Sequence, residues 1–140
     1  MQMELTEKEF RRLLDMVYIG NWILNSTRGS DRFADYDQVE SRVFSYCKDH
    51  GMESLIESCN GLPVPSRAFA EGGIHEAIMD YEDAVFFDIL AEELARRDMD
   101  YAPISPQNYD ELIERMDEYM EARLVFAQHI VGTAADDHRG

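Results

Sequence analysis

The sequence has few cysteines, no long apolar run and no leader-like segment. Its two cysteines, Cys47 and Cys59, form neither a CxxC motif nor the repeated spacing of a secreted disulfide framework. No apolar stretch approaches the roughly 18 residues that a membrane span requires, and no basic segment followed by an apolar one opens the chain. These absences predict a cytoplasmic protein with reduced thiols.

Basic residues are also scarce. The chain has 13 Lys and Arg against 29 Asp and Glu, which gives a net charge of −16. Phosphate groups are repelled by such a surface, so we expect no direct binding to nucleic acid or to an anionic membrane. The acidic excess is concentrated in residues 71–122, which contain 16 acids and 3 bases. This acidic excess favours solubility, the binding of cations or the binding of a basic partner.

The usual signatures of catalysis, nucleotide binding and metal binding are missing: GxGxxG, a P-loop, GxSxG and HExxH do not occur. His75 follows Glu71 by four residues, a helical spacing at which both could bind one metal, but two glycines separate them. Glu93 lies within an apolar arc, one turn before Arg97, which predicts an ion pair. We therefore predict no metal, no cofactor and no identified catalytic residue, and we favour a protein that is not an enzyme.

An apolar content of 45% is sufficient for a hydrophobic core. We expect one helical domain over residues 1–131 and a flexible tail over residues 132–140. The predicted fold is all-α, an irregular bundle of four to five helices.

The helix boundaries follow from capping signals. Thr6 and Glu9 form a capping box at the start of the first helix, and a second helix begins near Asp35. Residues 74–98 have a helical period and form one helix or two, with an apolar arc wide enough to predict the most buried helix. Ser105 and Pro106 indicate the start of the last helix.

Residues 60–66, Asn-Gly-Leu-Pro-Val-Pro-Ser, interrupt the helical pattern. Prolines at i and i+2 exclude a helix and favour extended backbone between them. We predict at most one short extended segment near residues 62–69. Gly51 is expected in the left-handed conformation that ends a helix.

The first helix carries more apolar surface than one core contact requires. Its main face consists of six residues at helical spacing: Phe10, Leu13, Leu14, Val17, Tyr18 and Leu24. A second stripe, beyond that face, consists of Met16, Ile19, Trp22 and Ile23. Either this helix is central, or the second stripe contacts another chain, with Trp22 as the most important contact. Asn21 lies within the main face and needs hydrogen-bond partners if it is buried.

The last helix has an acidic face, composed of Asp110, Glu111, Glu114, Asp117, Glu118 and Glu121. Like charges at i, i+4 repel on this face. A solvated face that maintains solubility explains it, and so does a surface that attracts a basic partner.

Several segments together resemble small acidic helical proteins of unknown function in bacteria. They are Glu9-Phe10, Leu13-Leu14, residues 16–22 (Met-Val-Tyr-Ile-Gly-Asn-Trp), His75-Glu76, Phe86-Phe87 and residues 94–98 (Leu-Ala-Arg-Arg-Asp). The resemblance implies a bacterial cytoplasmic origin and supplies no activity or active residue.

Three functional hypotheses remain open. The first is a protein-interaction module that binds itself, as a dimer, or another protein through the first helix. The second is an acidic regulator or DNA mimic that binds a basic DNA-binding protein. The third is an enzyme or metal protein that uses His75 with nearby carboxylates.

Overall fold

A computed structural model of the chain describes the backbone of residues 1–136 and the side chains as far as Val125. These residues form four long helices and one two-stranded antiparallel sheet. The all-α prediction is therefore confirmed only in its coarser form, as a predominantly helical protein. The chain divides into two compact units, Met1–Met79 and Asp80–Gly140. The single-domain assignment and the bundle arrangement stay predictions.

Helix α1 spans Glu7–Asn25 and begins with the predicted capping box. The Thr6 amide donates to Glu9 Oε2 at 2.8 Å, and the Glu9 amide donates to Thr6 Oγ1 at 3.2 Å. Two N–H groups that the first helical turn leaves without intrahelical partners are thus satisfied reciprocally.

Helix α2 spans Ala34–Ser45 and continues as a 3-10 helix, Tyr46–His50. Gly51 ends this segment with a φ of 64°, as predicted, because a left-handed residue closes the helix without a Cβ penalty. A second 3-10 turn, Glu53–Leu55, leads into the sheet.

The sheet is a hairpin of β1, Ile56–Cys59, and β2, Leu62–Pro65. Asn60 and Gly61 have φ values of 51° and 78°, and positive φ at both loop positions is the requirement of a type I′ turn. Alternate residues of a strand direct their N–H groups away from the partner, so prolines at i and i+2 fit a two-stranded sheet without losing a bond.

The prediction for residues 62–69 is confirmed in its first half and wrong in its second. Leu62–Pro65 is extended, whereas Arg67–Phe69 forms a short helical turn, α3. Ser66 caps this turn by accepting from the Phe69 amide at 3.2 Å, and it donates to the Ser54 carbonyl at 2.7 Å. A wide helical turn, Ala70–Ile74, then leads into α4, which is one continuous helix, His75–Asp98.

The core of the first unit lies between α1, α2 and the segment after the hairpin. Its fully or nearly fully buried members are Phe10, Leu14, Phe44, Cys47 and Phe69. The Phe44 and Phe69 rings pack edge to face, with centroids 5.0 Å apart. Cys47 is buried as predicted, and Cys59 is exposed.

The second unit contains the rest of α4 and helix α5, Tyr109–Asp136. Helix α5 begins three residues later than predicted, after a turn in which the Ser105 amide donates to Asn108 Oδ1 at 2.8 Å. Arg123 pairs with Asp83 at 2.8 Å and lies over the Phe87 ring. The last residues of the predicted tail, 137–140, lie outside the described residues.

Two predictions for α4 are wrong. Helix α4 is not the most buried helix, because Phe86, Ile89 and Leu90 of its apolar arc are exposed. The buried residues of α4 are Ile78, Ala91 and Ala95. Arg97 pairs with Asp98, its neighbour in sequence, rather than with Glu93. The apolar period of residues 74–98 predicted the helix correctly but not the surroundings of its faces.

Replacing Leu14 by Ala tests the core of the first unit. Leu14 is fully buried, so the lost apolar contact and the resulting cavity should reduce the free energy of unfolding by about 2 to 5 kcal/mol. Urea unfolding followed by the fluorescence of Trp22, the only tryptophan, measures it. Met16→Ala, at an exposed position of the same helix, should change it by less than about 0.5 kcal/mol. Equal effects would contradict the assigned core.

Candidate functional site

Two buried amides on α1 connect the end of that helix to the start of α2. Asn25 Nδ2 donates to Asn21 Oδ1 at 2.7 Å and to the Phe33 carbonyl at 3.1 Å, and its Oδ1 accepts from the Phe33 amide at 2.8 Å. Asn21 Nδ2 donates to Asp37 Oδ1 at 3.0 Å. Phe33 is the residue before α2 and supplies no side-chain cap. Asn25 therefore bonds both backbone groups of the residue before α2 and fixes the start of that helix against α1.

Asp37 is held by a guanidinium as well as by the amides. Arg32 donates to it through Nε at 3.0 Å and through Nη2 at 2.8 Å, a two-point contact. The hydrogen bond from Arg32 is the main reason that the pKa of Asp37 lies below its ordinary value. This ion pair leaves the two side chains with no net charge between them.

Three rings, those of Tyr18, Trp22 and His75, pack against one another beside the second half of α1. The Tyr18 hydroxyl is 2.5 Å from His75 Nε2, and the Trp22 and His75 rings meet edge to face with centroids 4.6 Å apart. Tyr18 also packs on Phe69, which belongs to the core. The first turn of α4 is thereby fixed against α1 within the first unit.

A cavity of about 190 Å³ is lined by two of these rings and by several of the polar groups. Its lining residues are Tyr18, Asn21, Trp22, Asn25, Ser26, Arg32 and Glu40. Four of them recur on α1 at positions i, i+3, i+4 and i+7, which is why one helix face supplies most of the wall. Glu40 approaches from α2, one turn after Asp37.

Glu40 is the exceptional titratable group of this cavity. Burial raises the pKa of its carboxyl to about 7. The Asn21 amide and the Arg32 guanidinium oppose this effect, while the Asp37 carboxylate adds to it. The pKa of the Tyr18 hydroxyl is raised too, first by burial and then by the nearby Glu40. A carboxyl that exchanges its proton near neutral pH therefore lies in the same cavity as the Tyr18 and Trp22 rings.

The stripe predicted on α1 is divided between exposed and half-buried residues. Met16 is 70% exposed and Ile23 is 57% exposed. Ile19 and Trp22 are partly buried, and Trp22 also lines the cavity. Asn21 is buried with its predicted hydrogen-bond partners. The assignment of the stripe to a partner stays a prediction.

The six acids of the predicted face on α5 are all exposed: Asp110, Glu111, Glu114, Asp117, Glu118 and Glu121. Glu111 pairs with Arg115 one turn later, at 2.9 Å. The face is thus a solvated acidic surface, and its role in binding stays a prediction.

His75 contacts Tyr18 and Trp22 rather than Glu71, which pairs with Arg67 at 2.6 Å. Among the side chains that the structure describes, as far as Val125, no three His, Cys, Asp or Glu residues are grouped as a metal site requires. In the same part of the chain, every helix is too short or too polar to cross a lipid bilayer.

Glu40 and Arg32 were not predicted as members of a site. Both lie in segments that look polar and solvated, so their residue types carry no signal alone. The signal that was available is the run of residues 16–27, which has no charged residue yet includes Asn21 and Asn25 on the buried side. Buried amides require polar partners from another element.

Replacing Asn25 by Ala tests the amide connection. The change leaves the Phe33 amide and Asn21 Oδ1 without partners in a buried place, so the free energy of unfolding should fall by about 1 to 3 kcal/mol. Urea unfolding with Trp22 fluorescence measures it. Ser26→Ala, at the exposed next residue, is the control and should stay within about 0.5 kcal/mol. An Asn25→Ala protein as stable as the control would show that the connection contributes little.

The raised pKa of Glu40 predicts that stability falls as pH rises. Between about pH 4.5 and 7 the unfolded chain releases this proton while the folded chain keeps it, so about 1 to 3 kcal/mol of stability is lost across that window. The pKa of Asp37 lies below its ordinary value of 3.8, so the titration of Asp37 falls outside this pH window. Urea unfolding at several pH values should show the loss in the wild type and not in Glu40→Gln. Parallel pH profiles for the two proteins would refute the assignment.

No protein-family model, no curated protein and no solved structure matches the chain. The resemblance to small acidic helical bacterial proteins stays a prediction.

Proposed function

We propose that this chain is a non-enzymatic protein-interaction module that associates through the outward face of α1, first of all with a second copy of itself. The observation that carries the proposal is the exposure of Met16 and Ile23 on a helix segment without charge. Exposed apolar residues that adjoin one another mark interfaces more often than isolated ones do.

The outward face has the spacing of a helix-packing surface. Met16, Ile19, Gly20 and Ile23 follow one another at i, i+3, i+4 and i+7. Gly20 is exposed, and the space beside its Cα is open to beyond 4 Å. A second helix can therefore approach the backbone closely at the middle of the stripe.

The apolar surface continues toward the start of the chain. Met3 and Leu5 are exposed, and they form a groove of about 360 Å³ with Leu13 and Met16, whose lining also includes Lys8, Glu9 and Arg12. Four helix residues alone would be small for an interface, because stable ones bury roughly 1,200 to 2,000 Å² in total. The groove extends the stripe in the direction that a longer partner would follow.

The stripe is self-complementary. In an antiparallel pair of α1 helices with a two-fold axis near residues 19–20, Met16 of one copy lies opposite Ile23 of the other. Residues 16–27 have no charge, so this pairing brings no like charges together along the stripe. The net charge of −16 still opposes association at long range, and salt reduces that repulsion.

Replacing Ile23 by Asp tests this association. The new carboxylate would be desolvated against Met16 of the other copy, so the dissociation constant of the dimer should rise roughly 100-fold or more. Sedimentation velocity over a wide concentration range measures it, and added salt should strengthen the wild-type dimer. Val39→Asp makes the same chemical change at a position on α2 that is 55% exposed.

Dissociation by Ile23→Asp alone supports the proposal. A wild-type protein that is monomeric at every concentration and salt would remove the self-association version. A dimer weakened equally by Val39→Asp would place the contact elsewhere.

The acidic face of α5 supports a second candidate, a regulator that binds a basic DNA-binding protein. Its six exposed carboxylates attract positive charge, and Arg115 is already paired. Binding of that kind weakens as salt is added, whereas association through the apolar stripe strengthens. The salt response therefore separates the two candidates. In both, we place the protein in the cytoplasm and its helices in one irregular bundle, as the sequence analysis predicts.

A further inference from the structure

The charge of the cavity selects the sign of its ligand. Arg32 and Asp37 form a two-point ion pair, which leaves the Glu40 carboxyl without an ion-pair partner of its own, although the Arg32 guanidinium is near enough to favour its ionised form. Among the described residues, no Lys, Arg or His forms an ion pair with Glu40. An ionised Glu40 thus makes the cavity negative, and a cation compensates that charge.

The aromatic residues that line this cavity are suited to an organic cation. Trp22 and Tyr18 both line the cavity, and the faces of such rings attract ammonium and guanidinium groups. The amide oxygens and the Ser26 hydroxyl are near enough to line the same space. A simple metal ion would need several oxygen ligands from carboxylates, whereas an organic cation also uses the aromatic wall.

The size of the cavity limits the ligand. Its volume of about 190 Å³ is below the roughly 300 to 1,000 Å³ of pockets that take drug-sized molecules. It is several times the ~30 Å³ that a water molecule occupies in the liquid. A single ammonium or guanidinium group with a short alkyl chain fits this range.

We infer that the cavity formed by Tyr18, Trp22, Asn25, Arg32 and Glu40 binds a primary ammonium or a guanidinium group, with the Glu40 carboxylate as its counter-ion. The group can come from a lysine or arginine side chain of a protein or from a free small amine. The inference does not depend on association through the stripe.

The proton balance of this binding is definite. Below neutral pH the folded protein holds Glu40 as the carboxylic acid, so an arriving ammonium displaces one proton, which passes to solvent. At alkaline pH the carboxylate is already ionised and no proton is released. Apparent affinity should therefore be about ten-fold weaker at pH 6 than at pH 8.

The other charged and titratable groups near Glu40 are Asp37, Arg32 and Tyr18, with His75 behind Tyr18. His75→Gln should retain the pH dependence if Glu40 is its source. His75 does not line the cavity, so this variant separates a direct effect of Glu40 from an indirect one transmitted through Tyr18.

Titration with n-butylammonium and with methylguanidinium, both as chlorides, tests the inference on the full chain. Trp22 is the only tryptophan and lines the cavity, so its fluorescence reports the site directly. Calorimetry in two buffers of different ionisation enthalpy counts the released protons. Sodium chloride at equal concentration and neutral n-butanol are the ligand controls.

Glu40→Gln should weaken the binding of both cations at least ten-fold and abolish proton release. Glu57→Gln removes the same charge from an exposed position of β1 and should bind like the wild type. Unfolding curves of both variants verify that they are folded. The inference is overturned if neither cation changes the fluorescence more than sodium chloride does, or if Glu40→Gln binds as tightly as Glu57→Gln.

A second comparison identifies the source of the cation. A neutral peptide with one internal lysine, blocked at both ends, is titrated against spermidine. Tighter binding of the peptide assigns the site to a basic side chain of a protein, and tighter binding of spermidine assigns it to a free amine. Either result agrees with the inference, and failure of both probes together with the simple cations refutes it.

Discussion

The arrangement of the first unit depends on two amides one turn apart on α1. Helix α2 has no capping side chain of its own, and Asn25 on the neighbouring helix bonds both backbone groups of Phe33, the residue before α2. Asn21 Oδ1 accepts a hydrogen bond from Asn25 Nδ2, and Asn21 Nδ2 donates one to Asp37. The end of α1, the start of α2 and the cavity between them are consequently fixed by one network. A buried amide without partners would cost more than the network gains, so the chain has few alternatives to this geometry.

The charge-free run of residues 16–27 explains why α1 serves different surroundings on different sides. Toward the core, Leu14 is followed by Tyr18, Asn21 and Asn25, so an apolar contact becomes a polar one along the same face. Toward solvent, Met16 and Ile23 stay exposed. A helix with one core contact would place charged residues on the outer side, as its first half does with Lys8 and Arg12. The change halfway along the helix is what both proposals build on.

Local signals in the sequence predicted the local structure well. Thr6 with Glu9, Gly51 and the buried Asn21 depend on neighbours within a few residues or on a fixed periodicity, and all three are confirmed. The hairpin was not predicted because Pro63 and Pro65 were interpreted only as excluding a helix and favouring one extended segment, although Asn60-Gly61 between apolar residues is a strong hairpin signal. Glu40 could not be predicted, because its burial arises from packing of α2 on α1, and no residue near it in sequence indicates that contact. The prediction that α4 is the most buried helix was wrong for the same reason, because periodicity does not show which faces of a helix pack against another element.

Trp22 borders both the stripe and the cavity. Through this position, association at the stripe would change the protonation and cation binding of the cavity. A partner that covers the stripe removes water from around Trp22, and less water near Glu40 disfavours its ionised form unless a cation is present. Association would then raise the pKa of an empty cavity's carboxyl and, when the partner supplies a basic side chain, lower it again. By linkage, a cation that binds the cavity more tightly in the associated state must strengthen association by the same factor. Because Trp22 is half-buried and borders both sites, it would couple association through the stripe to the binding of a proton and of a cation in the cavity.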